Sequence, residues 1–150
     1  MSTYTQILYQ VVFGSKDYTI FLDKDNQGLL FGYMVGMLNK RNCHPYQIGG
    51  YGNHVHIVTH VSPTINLAAL VREIKKATHE MMITKKEEFP HFSGWQVGYG
   101  AFTYHISMKS ILIRYVLQQD QHHKKVTYKD ELIQLLNDNL VSYKEEYLLI

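Results

Sequence analysis

The chain has 150 residues, 45% of them hydrophobic and 19% charged, with a formal net charge of +2; this is the make-up of an ordinary soluble globular protein, long enough for one domain over 1–150 with a real core. A single cysteine, Cys43, excludes an internal disulfide and a cysteine-rich zinc knuckle. The longest apolar stretch, Leu29 to Leu38, is interrupted by Gly32 and Gly36 and is too short to span a bilayer, and Met1-Ser2-Thr3-Tyr4-Thr5 lacks the basic and apolar parts of a secretory signal, so no membrane association and a cytoplasmic location are expected.

Tyr4 to Phe13 is rich in aromatic and β-branched residues and predicts a strand. Asp23 to Asn42 predicts a helix, with Leu29, Leu30, Tyr33, Met34, Met37 and Leu38 at helical spacing. Gly28, Gly32 and Gly36 form a smooth stripe on it, expected to let the helix sit close to a sheet. Pro45 to Tyr51 and His54 to Val61 read as two strands of a hairpin around Gly49, Gly50 and Gly52. These glycines do not open onto a helix, so they carry no phosphate-loop meaning. A long helix follows from Asn66 to about Glu87, with Leu67, Leu70, Val71, Ile74, Ala77 and Met81 on one face. Phe89 to Gly100 reads as loop and Ala101 to Ile106 as a short strand. Ser107 suits an N-cap for a helix to about His122; Tyr128 to Asn139 is a last helix, and the tail to Ile150 is irregular. The order β-α-β-β-α-β plus C-terminal helices predicts an α+β fold: a ferredoxin-like split βαβ sandwich with one antiparallel sheet. That architecture hosts many functions and selects none.

Charge is uneven along the chain. Residues 72–86 carry Arg72, Lys75, Lys76, Lys85 and Lys86, and residues 107–125 carry Lys109, Arg114, Lys124 and Lys125. Two basic segments on a small domain can bind phosphate; they also fit plain solvated helix faces.

Two constellations carry chemistry. In His54-Val55-His56 the histidines share one face of a strand, about 7 Å apart at roughly 3.3 Å per residue, and can converge on one metal ion. The other reading is a pair of half-exposed sheet histidines. A histidine-triad nucleotide hydrolase would need a third histidine where Val58 stands, so that motif fails. His60 lies one pleat further on the same face, suited to a phosphate contact. The second constellation is the helix from Ser107. Its apolar stripe runs through Met108, Ile111, Leu112, Tyr115 and Val116, then reaches Gln119, one turn beyond Tyr115. A glutamine on a core-facing stripe needs hydrogen-bond partners, unless the stripe simply leaves the core there and Tyr115 is a packed aromatic. Of the 12 tyrosines, Tyr115 alone has such a partner four residues on.

The chain resembles the small single-tyrosine HUH transposases of compact bacterial insertion sequences. Their two histidines flanking a hydrophobic residue match His54-Val55-His56. Their tyrosine stretch, Tyr-Ile-x-Asn-Gln-x-x-His-His, is similar to Tyr115-Val116-Leu117-Gln118-Gln119-Asp120-Gln121-His122-His123. Further similarity lies in Thr5-Gln6, Leu70 to Lys75, Trp95 to Phe102 and Glu146-Tyr147-Leu148, in the family's order. Departures are Gln118 for a common Asn, Asn53 for a common Asp before the first histidine, and His105 in a segment that is usually small and polar.

The resemblance implies a metal-dependent transposase that cuts and rejoins single-stranded DNA. Tyr115 would be the nucleophile, forming a 5′-phosphotyrosine. His54, His56 and Gln119 would hold Mg²⁺ or Mn²⁺ as three neutral ligands, binding the ion weakly until DNA arrives. It also implies a homodimer on hairpin-bearing element ends, with Tyr115 opposite its own or its partner's histidines. Arg72, Lys75, Lys76, Arg114, Lys124, Lys125 and His60 are the candidates for DNA contacts, and Tyr51, Trp95, Tyr99 and Phe102 for base stacking beside core roles. A domesticated, non-catalytic hairpin binder would have lost Tyr115, His54 or His56, which are all present. A phosphohydrolase using water would need a carboxylate beside the histidines, and the strand supplies none.

Overall fold

The computed structural model describes residues 2–149. Met1 and Ile150, the ends of the expected domain, lie outside the described residues. Four strands, β1 (Leu8–Gly14), β2 (His44–Tyr51), β3 (His54–His60) and β4 (Gly100–Tyr104), form one sheet in the order β2-β3-β1-β4, with every pairing antiparallel. Helix α1 (Gln27–Lys40) joins β1 to β2, and α2 (Leu67–Thr84) joins β3 to β4. This is the split βαβ arrangement that the element order predicts. Three further helices follow: α3 (Lys109–Leu117), α4 (Gln119–His122) and α5 (Tyr128–Asp138).

Strand alternation divides the chemistry between the two sheet faces. Val11 and Phe13 of β1 and Val55 and Ile57 of β3 face α1 and α2, forming the main core with Leu30, Met34, Leu70 and Ile74. The opposite face presents Leu8, Gln10 and Val12 of β1 and His54, His56 and Val58 of β3. There Leu8 and Val58 pack on Leu112 and Val116 of α3. Val12 packs on Tyr128, Leu132 and Leu136 of α5. The C-terminal helices thus cover the sheet face that carries both histidines.

Several boundaries differ from expectation. β1 begins at Leu8, not Tyr4, because its partner β3 ends at His60, opposite Leu8; earlier residues have no strand to pair with. α1 begins at Gln27, after a turn in which Asp23 Oδ1 accepts hydrogen bonds from the Asp25 and Asn26 amides. α2 ends at Thr84, with Asn66 capping its start by accepting from the Ala69 amide. The irregular tail contains a 3-10 turn, Glu145–Leu149. The glycine stripe of α1 faces outward: a Cβ added at Gly28, Gly32 or Gly36 meets nothing within 4 Å. It therefore does not bring the helix close to the sheet. Leu30, Met34, Met37 and Leu38, on other faces of α1, make that contact.

Candidate metal centre and tyrosine site

The helix expected to run unbroken from Ser107 to His122 bends. α3 stops at Leu117, Gln118 takes non-helical angles (φ −100, ψ 21), and α4 resumes at Gln119. The apolar stripe ends with Val116, and the bend turns the next inward residue, Gln119, towards β3. The close approach of α3 depends on Gly49 of β2, where an added Cβ would lie 2.5 Å from the Val116 carbonyl oxygen.

His54, His56 and Gln119 are buried and share one cluster. Gln119 Oε1 lies 3.1 Å from His54 Nε2. Two residues that sequence reasoning missed complete the group. His123 Nε2 lies 2.9 Å from Gln119 Oε1. Glu131, from the first turn of α5, sends a buried carboxylate into the centre. Its Oε1 lies 3.1 Å from His54 Nε2, 3.0 Å from His56 Nε2 and 3.0 Å from His123 Nε2. Its Oε2 accepts hydrogen bonds from Gln119 Nε2 at 3.0 Å and from the Tyr115 hydroxyl. Ligand atoms of His54, His56, His123 and Glu131 all lie within 4.8 Å of one another. A carboxylate does stand beside the histidines, supplied by α5 and not by the strand. Acidic residues in a helix's first turn are ordinary, so Asp130-Glu131 gave no signal in the sequence.

The outer nitrogens define the ring orientations. His123 Nδ1–H donates to the Val126 carbonyl at 2.6 Å. His54 Nδ1–H donates to Asn53 Oδ1 at 3.0 Å, and Asn53 Nδ2 in turn donates to the Tyr18 carbonyl. His56 Nδ1–H donates to Gln10 Oε1 at 2.9 Å. With each Nδ1 carrying a proton, a neutral ring directs its Nε2 lone pair inward, as metal-binding histidines do. Three such lone pairs around one carboxylate oxygen require positive charge between them, as ring protons or as a metal ion. The donor set therefore fits a divalent cation. Asn53, which replaces a common Asp, keeps the orienting contact to His54.

Burial dominates the electrostatics. It lowers the His54 pKa to about 4, against the opposing hydrogen bond to Glu131 and with the help of neighbouring His56. Burial and the adjacent Glu131 charge push the Tyr115 hydroxyl far above its ordinary value. For Glu131, burial acts upward, but where the inner nitrogens of His123, His54 and His56 carry protons their hydrogen bonds outweigh it and hold the carboxyl well below its usual range. Tyr115 is thus a neutral donor resting on a carboxylate.

The other candidates scatter. Lys124 and Lys125 are exposed in the α4–α5 turn and share a hollow with Tyr115, Gln118 and His122. Arg114 is exposed on α3. Arg72 and Lys76 are exposed on α2, which packs on the opposite face of the sheet. Lys75 is engaged: its Nζ donates to the Gln96 and Gly98 carbonyls. His60 Nδ1 accepts from the Ile7 amide at 3.1 Å, so it locks the start of β1. Trp95 and Phe102 are core aromatics, while Tyr51 stacks on His123, its ring centroid 5.6 Å away.

Comparison with known proteins follows the same lines. A candidate transposase from Deinococcus radiodurans R1 superposes with a TM-score of 0.63 at 15% identity, covering 79% of this chain and 95% of that one. A REP-associated tyrosine transposase bound to a REP hairpin superposes with a TM-score of 0.59 at 16% identity, covering 84% of this chain and 76% of that one. Both likenesses establish the shared α+β fold. No curated protein matches the chain. No helix among the described residues is long and apolar enough to cross a membrane. The model of the family described as "Transposase IS200 like" matches residues 3–119, a stretch that includes His54, His56, Tyr115 and Gln119. The chain belongs to the IS200-like transposase family and is a transposase acting on DNA.

Proposed function

We propose that this transposase cleaves and rejoins single-stranded DNA at hairpin-bearing element ends, using Tyr115 as nucleophile and His54, His56 and Gln119 to hold Mg²⁺ or Mn²⁺. The observation that carries the reading is convergence. The Tyr115 hydroxyl, the Gln119 amide and both histidines meet at one buried carboxylate, although α3, α4 and β3 contribute them separately.

In the reaction the Tyr115 oxygen bonds to the scissile phosphorus and the bond from phosphorus to the 3′ oxygen breaks. Tyr115 gives up its proton, and the departing 3′ oxygen gains one. The product is a 5′-phosphotyrosine and a free 3′-OH. The phosphoester is exchanged and not hydrolysed, so a later 3′-OH attack reseals the strand without ATP. A bound divalent ion supplies Lewis acidity to the phosphate. Glu131 Oε2 fixes the phenol beside the histidines and is the acceptor against its proton. Lys124 and Lys125 border the Tyr115 hollow and suit the DNA backbone. A homodimer in the cytoplasm completes the proposal; the hairpin-bound structural neighbour supports a hairpin substrate.

Glu131 also raises a second reading, hydrolysis by an activated water. Against it, both carboxylate oxygens are taken, one by three imidazoles and the other by Tyr115 and Gln119. Incubation with labelled single-stranded hairpin DNA and Mn²⁺ separates the two. Transfer chemistry leaves a covalent protein–DNA adduct that Tyr115→Phe abolishes. Hydrolysis gives cut DNA, no adduct, and cleavage that survives the substitution.

A further inference from the structure

We propose that Glu131 and His123 are ligands of the same metal ion, so that the centre carries a negative charge of its own, and that the second oxygen of Glu131 couples this centre to Tyr115. The inference rests on the reading of His54, His56 and Gln119 as metal ligands. Neither Glu131 nor His123 lies within residues 3–119, where the family model matches.

The argument is geometric. Glu131 Oε1 stands 3.0–3.1 Å from the Nε2 atoms of His54, His56 and His123. Its side chain is buried, and a buried carboxylate without a compensating cation is costly. No lysine or arginine pairs with it among the described residues. Among the described residues the basic partners of its oxygens are histidines, four in all with His122 at 3.3 Å. His123 has the clearest ligand geometry of the four. The acceptor at its Nδ1 is a backbone carbonyl, so that nitrogen must carry the proton. Its Nε2 then faces Gln119 Oε1 and Glu131 Oε1 at 2.9 Å and 3.0 Å, where a metal ion bound by all three satisfies them together, as a ring proton does in its absence. Gln119 is held in ligand orientation by the same carboxylate, its nitrogen on Oε2 and its oxygen towards the histidines. Glu131 therefore aims one ligand, supplies another and carries the nucleophile's hydroxyl.

The consequence is metal affinity in the absence of DNA. Equilibrium Mn²⁺ binding to the full chain without DNA, read from the paramagnetic resonance of free ion, tests it directly. Wild type should bind one Mn²⁺. Glu131→Gln, which keeps size but removes the charge and turns one acceptor oxygen into a donor, should bind at least ~10-fold more weakly, and His123→Gln should weaken binding in the same range. Tyr115→Phe should bind within about two-fold of wild type. Equal affinity in wild type and Glu131→Gln would overturn the inference, as would a wild type that binds Mn²⁺ only with DNA. Loss of binding in His54→Ala, alongside unchanged binding in Glu131→Gln, leaves the underlying reading standing and removes this one. Unchanged binding in His54→Ala removes both. If Glu131→Gln fails to fold by circular dichroism, Glu131→Asp and His123→Gln decide: weaker binding in both upholds the inference, and wild-type binding in both rejects it.

Discussion

Gln119 Oε1 lies 3.1 Å from His54 Nε2, across 65 residues of chain. The contact exists because three packing events agree: β3 buries His54 on the face away from α1 and α2, α3 settles on that face through Leu112 and Val116, and the bend at Gln118 turns Gln119 inward. Anything that lifts α3 from the sheet therefore separates the tyrosine from the histidines.

Gly49 is the point at which that lift is easiest to produce. A Cβ there would sit 2.5 Å from the Val116 carbonyl oxygen and 2.7 Å from its Cγ1, so the helix backbone must move. Gly49→Val should cost roughly 1–3 kcal/mol of stability and depress DNA cleavage well beyond what lost folding explains. Denaturant melts and cleavage rates on one preparation check this; full cleavage with a lowered midpoint would show that the helix position is not what matters.

The outward glycines of α1 should behave in the opposite way. Open space surrounds Gly28, Gly32 and Gly36, so alanine adds no clash and removes backbone freedom from the unfolded chain. Gly32→Ala is expected to stabilise by about 0.5–1 kcal/mol without altering cleavage. A destabilised variant would mean that this face packs against something.

Acid should destabilise the metal-free chain. Burial lowers the His54 pKa from 6.5 to about 4. Between those values the unfolded chain holds more protons than the folded one, so stability is complete above about pH 6.5 and is lost as pH falls towards 4. The loss from this group is about 3 kcal/mol. Glu131, held below its usual range, adds a loss of the same sign at lower pH. Urea midpoints of chelator-treated protein at pH 7.5 and 4.5 should fall accordingly, and a flat profile would contradict a neutral buried His54.

Much of this was legible beforehand, for identifiable reasons. Period-two alternation put His54 and His56 on one face, and helical spacing put Tyr115 and Gln119 on another, because each pair lies within a single element. Glu131 was not legible: its role depends on how α5 crosses the sheet, and nothing in Thr127-Tyr128-Lys129-Asp130-Glu131 distinguishes it from an exposed first-turn acid. His123 was in view within the Gln-x-x-His-His stretch, yet the turn that aims its ring through Val126 is tertiary. The glycine stripe misled because small residues permit close packing but do not compel it.

The lysines divide into two kinds. Lys75 spans to the Gln96 and Gly98 carbonyls and lies 5.3 Å from the Phe13 ring centroid, so Lys75→Met should loosen the loop before β4 by about 1–2 kcal/mol. It should leave the salt dependence of DNA binding unchanged. Lys125→Ala should instead reduce the slope of log affinity against log salt by roughly 0.7, the value for one single-strand phosphate contact. Titrations at several salt concentrations distinguish the two, and equal slopes for Lys125→Ala and wild type would remove Lys125 from the DNA interface.

The central claim is that Tyr115 carries the DNA. The chain offers a clean assay, because tryptic cleavage after Arg114 and Lys124 releases a peptide, Tyr115 to Lys124, with a single tyrosine. Mass spectrometry of the adduct formed on single-stranded hairpin DNA with Mn²⁺ should find the nucleotide remnant on that peptide. A remnant on Val126 to Lys129, whose tyrosine is the buried Tyr128, or on no tyrosine at all, would contradict the account.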